Sequence, residues 1–336
     1  MPAIRQAERL GRMSGVSLNM KRVLPAIGLF LAAPLIAEYL PGVLPITMLG
    51  TLAVLAPMYG GGAILIRETV RRAGLGWPSI LVLALAYGVL EEGLVTQSLF
   101  NPNYLGLNQH LLQPEYIPAL GIGAWWTVFV LTLHAVWSIP VSIAIVEGLS
   151  ARSAAQPWLR RPGLALVAIL FALGCISIAR FTIREDAAHF VASRAHLAST
   201  AAIIVALIVL AFRLPQPSGV HGRRSAPRYS TAGLTALIAG SAFLIIPNQW
   251  GWWTVSLYLV LDVSVILVIR TWSRAQGWGR GHRLVLSGGA ALAYAWHAFV
   301  QTPAVGGPNR AGNAVFAAGL LITLVAAALK TRVEVE

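Results

Sequence analysis

The feature that most constrains this chain is a succession of apolar stretches long enough to cross a bilayer. A spanning α-helix needs about 20 apolar residues, and ten segments come near or exceed that length. Charged residues make up 11% of the chain, against about 25% in soluble proteins. The sequence therefore predicts an all-α, polytopic integral membrane protein with about ten transmembrane helices. The segments fall at 23–42, 43–66, 78–100, 122–148, 163–183, 198–213, 231–247, 250–270, 283–302 and 313–329.

The basic residues predict the orientation of these helices. With the N-terminus in the cytoplasm, all but four of the 25 Lys and Arg residues fall in the tails or at the cytoplasmic loops. Because cytoplasmic loops are enriched in Lys and Arg, both termini are expected inside. The pattern accounts for the net charge of +13 without a nucleic-acid partner. We expect a basic cytoplasmic tail over 1–22, a single transmembrane bundle over 23–329 and a cytoplasmic tail over 330–336, in the inner or plasma membrane.

The third apolar stretch carries two adjacent carboxylates, Glu91 and Glu92. Burying one carboxylate costs about 2.5–3.5 kcal/mol on insertion scales. Two side by side repel, so one of them is expected to keep its proton. Such a pair indicates a functional site unless it only bonds to neighbouring backbone or hydroxyl groups. Glu38, Glu147 and Arg180 lie near predicted helix ends, where we expect structural roles.

Polar residues also recur at helical spacing on the third, fourth, eighth and ninth stretches. In lipid, such stripes must face the interior of the bundle or water. At 1.5 Å per residue, Glu91 and His134 both come near mid-bilayer, with His297 and Gln301 nearer the outer face. We therefore predict one buried polar cavity lined by these four helices. The predicted substrate-binding residues are Tyr87, Thr96, Gln97, Ser138, Tyr258, Asp262 and Tyr294.

This constellation favours an intramembrane hydrolase. One carboxylate of the pair acts as general base on a water, and His134, His297 and Gln301 stabilise the developing oxyanion. The motifs resemble those of the CPBP family of membrane proteases, which includes the type II CAAX prenyl endopeptidases. That family has a Glu-Glu pair, a His on the next helix and a later His-x-x-x-Asn or Asp. The resemblance implies metal-independent peptide hydrolysis without a cofactor, with Glu91 as base, Glu92 beside it and both histidines as polarising groups.

The chain departs from that family's pattern at three positions. Thr96 stands where the family has an Arg, Val130 where it has a Phe, and Gln301 where it has Asn or Asp. The separation between His134 and His297 is also longer than in that pattern. The sequence is therefore also consistent with a non-catalytic member of such a fold, serving as a receptor or immunity protein.

A proton-coupled secondary transporter is the alternative hypothesis. The segments 134–140 and 297–303, on the fourth and ninth stretches, share the pattern His-Ala-apolar-apolar-polar-x-Pro. In a five-plus-five inverted repeat, the Glu pair would correspond to Asp262. Inverted repeats with a midplane site are common among transporters, and titrating carboxylates suit proton coupling. The halves 1–213 and 214–336 differ in length, which disfavours the repeat.

A metal-dependent membrane enzyme ranks third. Two Glu, one Asp and two His could hold a divalent ion, but no His-Glu-x-x-His spacing is present. We therefore predict no metal ligand. The expected partners are the lipid bilayer and a membrane-embedded peptide or lipidic substrate.

Overall fold

Ten helices form most of the structure, a computed structural model. It describes residues 22–106, 110–113, 115–150, 154–185, 189–215, 222–303 and 305–333. Residues 1–21 of the predicted N-terminal tail and 334–336 of the predicted C-terminal tail lie outside the described residues. The helices are α1 Arg22–Tyr39, α2 Ile46–Arg72, α3 Trp77–Val95, α4 Ala124–Leu149, α5 Arg161–Glu185, α6 Arg194–Arg213, α7 Tyr229–Ile245, α8 Trp252–Trp272, α9 Arg280–His297 and α10 Arg310–Val333.

The helices confirm the predicted all-α membrane architecture. All ten predicted stretches are helical in the structure, and eight of the helices are long and apolar enough to cross a membrane. The shortest, α7, is apolar but spans 17 residues. Strand structure in the described residues is limited to two small pairs. An antiparallel pair joins β1 Tyr116–Ile117 to β2 Ile122–Gly123, and a parallel pair joins β3 Gly222–Ser225 to β4 Ala275–Gln276.

Each of the first four helices contains a π-helical turn. These turns are Leu35–Tyr39 in α1, Ala56–Gly60 in α2, Glu91–Val95 in α3 and His134–Val141 in α4. A proline lies immediately before the π turn of α1, and a proline lies within the π turns of α2 and α4. Proline removes a helical backbone hydrogen bond. Because π turns are rare and often occur at functional sites, their presence in four neighbouring helices marks a candidate functional region.

Glycines bring the first three helices into close contact. A Cβ atom on Gly60 would lie 2.1 Å from the carbonyl oxygen of Phe30 in α1, and one on Gly62 would lie 2.5 Å from the ring of Tyr87 in α3. Small residues allow helix backbones to approach closely in membrane proteins. The packing places α2 between α1 and α3, so the π turns of these helices can meet.

Helices α4, α7, α8 and α9 enclose a second core, which is aromatic. The rings of Trp137 and Tyr294 stack with centroids 4.7 Å apart, and Phe243 packs against Trp137 and Tyr258. The Trp137 indole donates to the carbonyl oxygen of Ala290 at 2.7 Å. The prediction of one polar cavity shared by α3, α4, α8 and α9 is therefore wrong in its lining, because these rings fill the space between α4, α8 and α9.

An ionic cluster joins α2 and α4 at the end where both helices finish. The Arg67 guanidinium is fully buried, lies 3.1 Å from Glu147 and 2.6 Å from Glu68, and stacks on Trp158 at 3.4 Å. Arg71 pairs with Glu147 at 2.7 Å. Each buried charge here has an opposite partner, so the cluster ties the ends of α2 and α4 together, in line with the structural role expected for Glu147.

Candidate functional site

Three of the predicted site residues meet where the π turns of α3 and α4 face each other. His134 Nε2 lies 2.9 Å from Glu92 Oε1, and His134 Nδ1 lies 3.3 Å from Glu91 Oε2. The exposed fractions of Glu91, Glu92 and His134 are only 2%, 7% and 4%. The imidazole therefore stands between the two carboxylates in a site nearly closed to solvent.

Hydrogen bonds hold Glu92 in place. Thr96 Oγ1 lies 3.1 Å from Glu92 Oε2, and the Ser98 hydroxyl donates to the same oxygen. The Trp126 indole in turn donates to Ser98 Oγ at 2.9 Å. Together with His134 on its other oxygen, these contacts engage both oxygens of Glu92, so this carboxylate orients the imidazole.

Glu91, in contrast, keeps an oxygen without a hydrogen bond. Although His134 Nδ1 is 3.3 Å away, Glu91 Oε2 makes no hydrogen bond to any described residue, and neither does the hydroxyl of Tyr87. The hydroxyls of Tyr59 and Tyr87 both lie beside the Glu91 carboxyl group. Buried polar atoms are nearly always paired, so two unpaired ones together mark a place where a further group can bind.

Two residues that the sequence reasoning did not assign to the site extend it to α1 and α2. The Tyr59 hydroxyl donates to Glu38 Oε1, and the Tyr59 ring stacks on His134 with centroids 6.2 Å apart. Glu38 and Tyr59 both lie in π turns. Two weak sequence signals pointed to them: Glu38 is a carboxylate in an apolar stretch, and a proline lies at each of the two turns.

The site is rich in acidic groups, and His134 is their one basic partner among the described residues. Glu38, Glu91 and Glu92 lie close enough to interact electrostatically with one another and with the imidazole. Among the described residues, no Lys or Arg forms an ion pair with any of these three carboxylates. Thr96, at the position where the CPBP pattern has an Arg, donates a hydrogen bond but brings no charge.

The donor atoms are close enough together to hold a metal ion. One donor atom each from Glu91, Glu92 and His134 lies within 4.8 Å of the other two. Carboxylate oxygens and an imidazole nitrogen are ligands that divalent transition metals accept.

Two further predicted residues lie at this site or next to it. Ser138 Oγ lies 3.1 Å from His134 Nδ1, one helical turn further along α4. Gln97 has a φ of +56°, and its side chain accepts a hydrogen bond from the backbone N–H of Ala192 at 2.7 Å. Gln97 thus turns the chain after α3, and its side chain holds the segment that precedes α6. Ser138 contacts the imidazole directly.

The remaining predicted residues lie elsewhere in the structure. His297 Nδ1 lies 3.1 Å from Gln301 Oε1, and neither residue contacts the Glu91, Glu92 and His134 group among the described residues. Asp262 accepts a hydrogen bond from Thr132 at 2.9 Å. The Tyr258 and Tyr294 rings belong to the aromatic core. Helix α9 ends at His297, so the predicted helical spacing to Gln301 continues into a turn rather than toward α3.

Tyr104, in the loop after α3, lies close enough to the site to feel its charge. Tyr104 lies in a short 3₁₀ turn and is half-buried. Burial, and then the nearby carboxylates of Glu92 and Glu91, raise the pKa of its hydroxyl. The loop therefore comes close to the acidic pair from the predicted outer side.

Comparisons with known proteins identify a family but no individual similar protein. No curated protein matches the chain, and no solved structure does. The family model that matches is not that of the CPBP proteases, so that resemblance stays a prediction. A single model covers residues 29–332, which includes all ten helices apart from their outermost residues. On this match, the chain belongs to an uncharacterized membrane protein family.

Proposed function

We propose that this protein is an intramembrane hydrolase in which Glu91 activates a water molecule. The observation that supports the proposal best is the unequal environment of the two adjacent carboxylates. Glu92 is held by Thr96, Ser98 and His134, whereas Glu91 Oε2 has no hydrogen bond among the described residues. A general base needs a free oxygen within hydrogen-bond reach of its water, and Glu91 has one.

His134 supplies the second function that hydrolysis requires. Its Nε2 faces Glu92, which fixes the orientation of the ring, and its Nδ1 faces the free oxygen of Glu91 at 3.3 Å. A substrate carbonyl beside Glu91 would bring its oxygen near the Tyr87 hydroxyl and, when the imidazole is protonated, near the Nδ1–H of His134. Donors already in position for a developing negative charge are typically the largest contribution to such catalysis.

The proposed reaction is the hydrolysis of an acyl bond. Glu91 takes a proton from the water, whose oxygen bonds to the carbonyl carbon and gives a tetrahedral intermediate. The carbon–leaving-group bond then breaks, and the protonated Glu91 returns the proton to the leaving group. The expected substrate is a membrane-embedded peptide or lipidic molecule, and the expected location is the cell membrane.

The transporter hypothesis is less well supported by the geometry. In an inverted repeat, the π turns of α3 and α4 would have counterparts in α8 and α9. Those two helices are α-helical throughout their described lengths. The proposed counterpart of the Glu pair, Asp262, is half-buried and bonds to Thr132 alone among the described side chains. The two halves therefore differ in the features that the repeat should share.

The test is cleavage of membrane-spanning reporter peptides by the full-length protein in proteoliposomes. We expect Glu91→Gln to lower the cleavage rate at least about 100-fold, the usual contribution of a general base. Asp262→Asn is the matched control, because it makes the same kind of change to a membrane carboxylate outside the site, and it should retain the wild-type rate.

Two outcomes would contradict the hydrolase. One is cleavage by the Glu91→Gln protein at the wild-type rate. The other is absence of cleavage across the reporter panel together with solute uptake that responds to an imposed pH gradient, which would favour a proton-coupled carrier.

A further inference from the structure

We infer that Glu91 and His134 bind one divalent transition-metal cation, of the class that includes Zn²⁺ and Co²⁺, and that Glu92 fixes the imidazole from its other ring nitrogen. The inference goes beyond the proposed function, which uses no metal, and it does not depend on it. A cation here would occupy the Glu91 oxygen that the metal-free mechanism leaves for water, and it would then activate that water itself.

The charge of the site is the first argument. Three carboxylates, Glu38, Glu91 and Glu92, surround one imidazole, and no Lys or Arg among the described residues pairs with them. Buried carboxyl groups are paired with an opposite charge, bound to a metal or neutralised by a proton. The ionic cluster around Arg67 shows the usual solution, with each carboxylate matched by a guanidinium. The Glu91 site has no such partner, and a divalent cation would supply the missing positive charge.

The spacing of the donor atoms is the second argument. Glu91 Oε2 and His134 Nδ1 are 3.3 Å apart without a hydrogen bond between them. Two ligands bound to one zinc ion at about 2.0–2.1 Å in tetrahedral geometry would be about 3.3–3.4 Å apart. The carboxylate of Glu92 meets the other ring nitrogen at 2.9 Å. Histidines that bind metals usually have a carboxylate at that position, which fixes the ring.

The hydroxyl of Tyr87, next to the carboxylate cluster, also indicates a bound ligand. The hydroxyl of Tyr87, a residue only 4% exposed, lies beside Glu91 and has no hydrogen-bond partner among the described residues. A buried hydroxyl of this kind needs a partner, and a water molecule or substrate bound to a cation would provide one. The unpaired atoms of Glu91 and Tyr87 thus point to a ligand that both of them contact.

The mixed donor set indicates the class of cation. Imidazole nitrogen suits zinc, iron and copper, whereas sites built for calcium or magnesium use oxygen donors almost alone. The site has no thiolate among its described contacts, since the half-buried Cys175 is the single cysteine of the chain and is not in the cluster. We therefore expect Zn²⁺ and Co²⁺ to bind more tightly than Mg²⁺ or Ca²⁺.

The experiment measures cation binding directly. The full-length protein in detergent micelles is stripped with a chelator, then titrated with Co²⁺ by equilibrium dialysis and visible absorption, and with Zn²⁺ in competition. We expect one equivalent to bind, with affinity at least about 10-fold weaker in Glu91→Gln and His134→Gln and also weakened in Glu92→Gln. His297→Gln and Asp262→Asn are the matched controls, because they change the same residue types outside the cluster, and they should bind like the wild type.

These binding measurements test the inference whether or not the protein cleaves a reporter peptide. Wild-type protein that binds no Co²⁺ or Zn²⁺, or that binds them no better than the Glu91→Gln protein, would overturn it. Gel filtration checks the folding of each variant, and if His134→Gln does not fold, the nearly isosteric Glu91→Gln decides alone. If the protein binds the cation but cleaves no reporter, the hydrolase proposal is rejected and this inference stands. Protein that cleaves at full rate after chelation and binds no cation rejects this inference only.

Discussion

At the scale of single residues, the site depends on two neighbouring glutamates with different surroundings. Glu91 and Glu92 are adjacent in the chain, so their local sequence context is nearly the same. Ser98, Thr96 and His134 engage Glu92, whereas one oxygen of Glu91 has no hydrogen bond to any residue that the structure describes. The difference arises because Gln97 adopts a φ of +56°, which turns the chain back and brings Ser98 against Glu92.

A serine substitution tests this division of roles. Ser98→Ala removes a donor from Glu92 and a partner from Trp126, so the carboxylate should hold His134 less firmly. We expect the rate of reporter cleavage to fall about 10-fold or more, as for other residues that orient a ligand or catalytic group. The control is Ser142→Ala in α4, since Ser142 is also fully buried but bonds only to carbonyl groups of its own helix. Equal rates for the two variants would contradict the assigned role of Ser98.

At the scale of secondary structure, the four π turns place the site. Glu38, Tyr59, Glu91 and His134 each lie within one of these turns. A π turn holds one residue more than an α turn, and the extra residue changes the direction of the side chains that follow. Regular α-helical spacing, on which the sequence analysis relied, therefore places some of these side chains wrongly. The resulting site includes Glu38 and Tyr59, which helical spacing did not assign to it.

Removing the extra residue from one turn tests its contribution. Deletion of Leu94, a half-buried residue of the α3 turn, should let the helix close with ordinary α geometry, so we expect the protein to fold. Glu91 and Glu92 would then point in new directions relative to Thr96, and cleavage and Co²⁺ binding should both be lost. The comparison is deletion of the exposed Val205 in α6, which is α-helical throughout and should tolerate the loss of a residue poorly. Wild-type cleavage after deletion of Leu94 would show that the π turn is not needed.

At the scale of the whole molecule, the contacts agree with the predicted arrangement of helix ends. Arg71 at the end of α2 pairs with Glu147 at the end of α4, and Lys330 near the end of α10 donates to the carbonyl oxygen of Leu149 at 3.2 Å. These three helix ends therefore lie on one face of the bundle. The distribution of Lys and Arg predicts that this face is cytoplasmic.

Thiol labelling tests the orientation. Cys175 is the single cysteine, so Cys175→Ala gives a background in which one new cysteine can be followed. Thr302→Cys, in the exposed segment between α9 and α10, should react with a membrane-impermeant maleimide in intact cells. Ser273→Cys, exposed after α8, should react only after the membrane is permeabilised. The reverse pattern would show that the orientation inferred from the basic residues is wrong.

The sequence by itself determined the all-α membrane architecture and the positions of the ten helices. These features depend on local apolar length, which is visible in any one segment. It also singled out Glu91, Glu92 and His134, because charged and imidazole groups are conspicuous in apolar stretches. Only the tertiary structure decided which residues meet. Glu38 and Tyr59 join the group, whereas His297 and Gln301 bond to each other, because π turns and helix packing set those neighbours and neither follows from the spacing of residues along the chain.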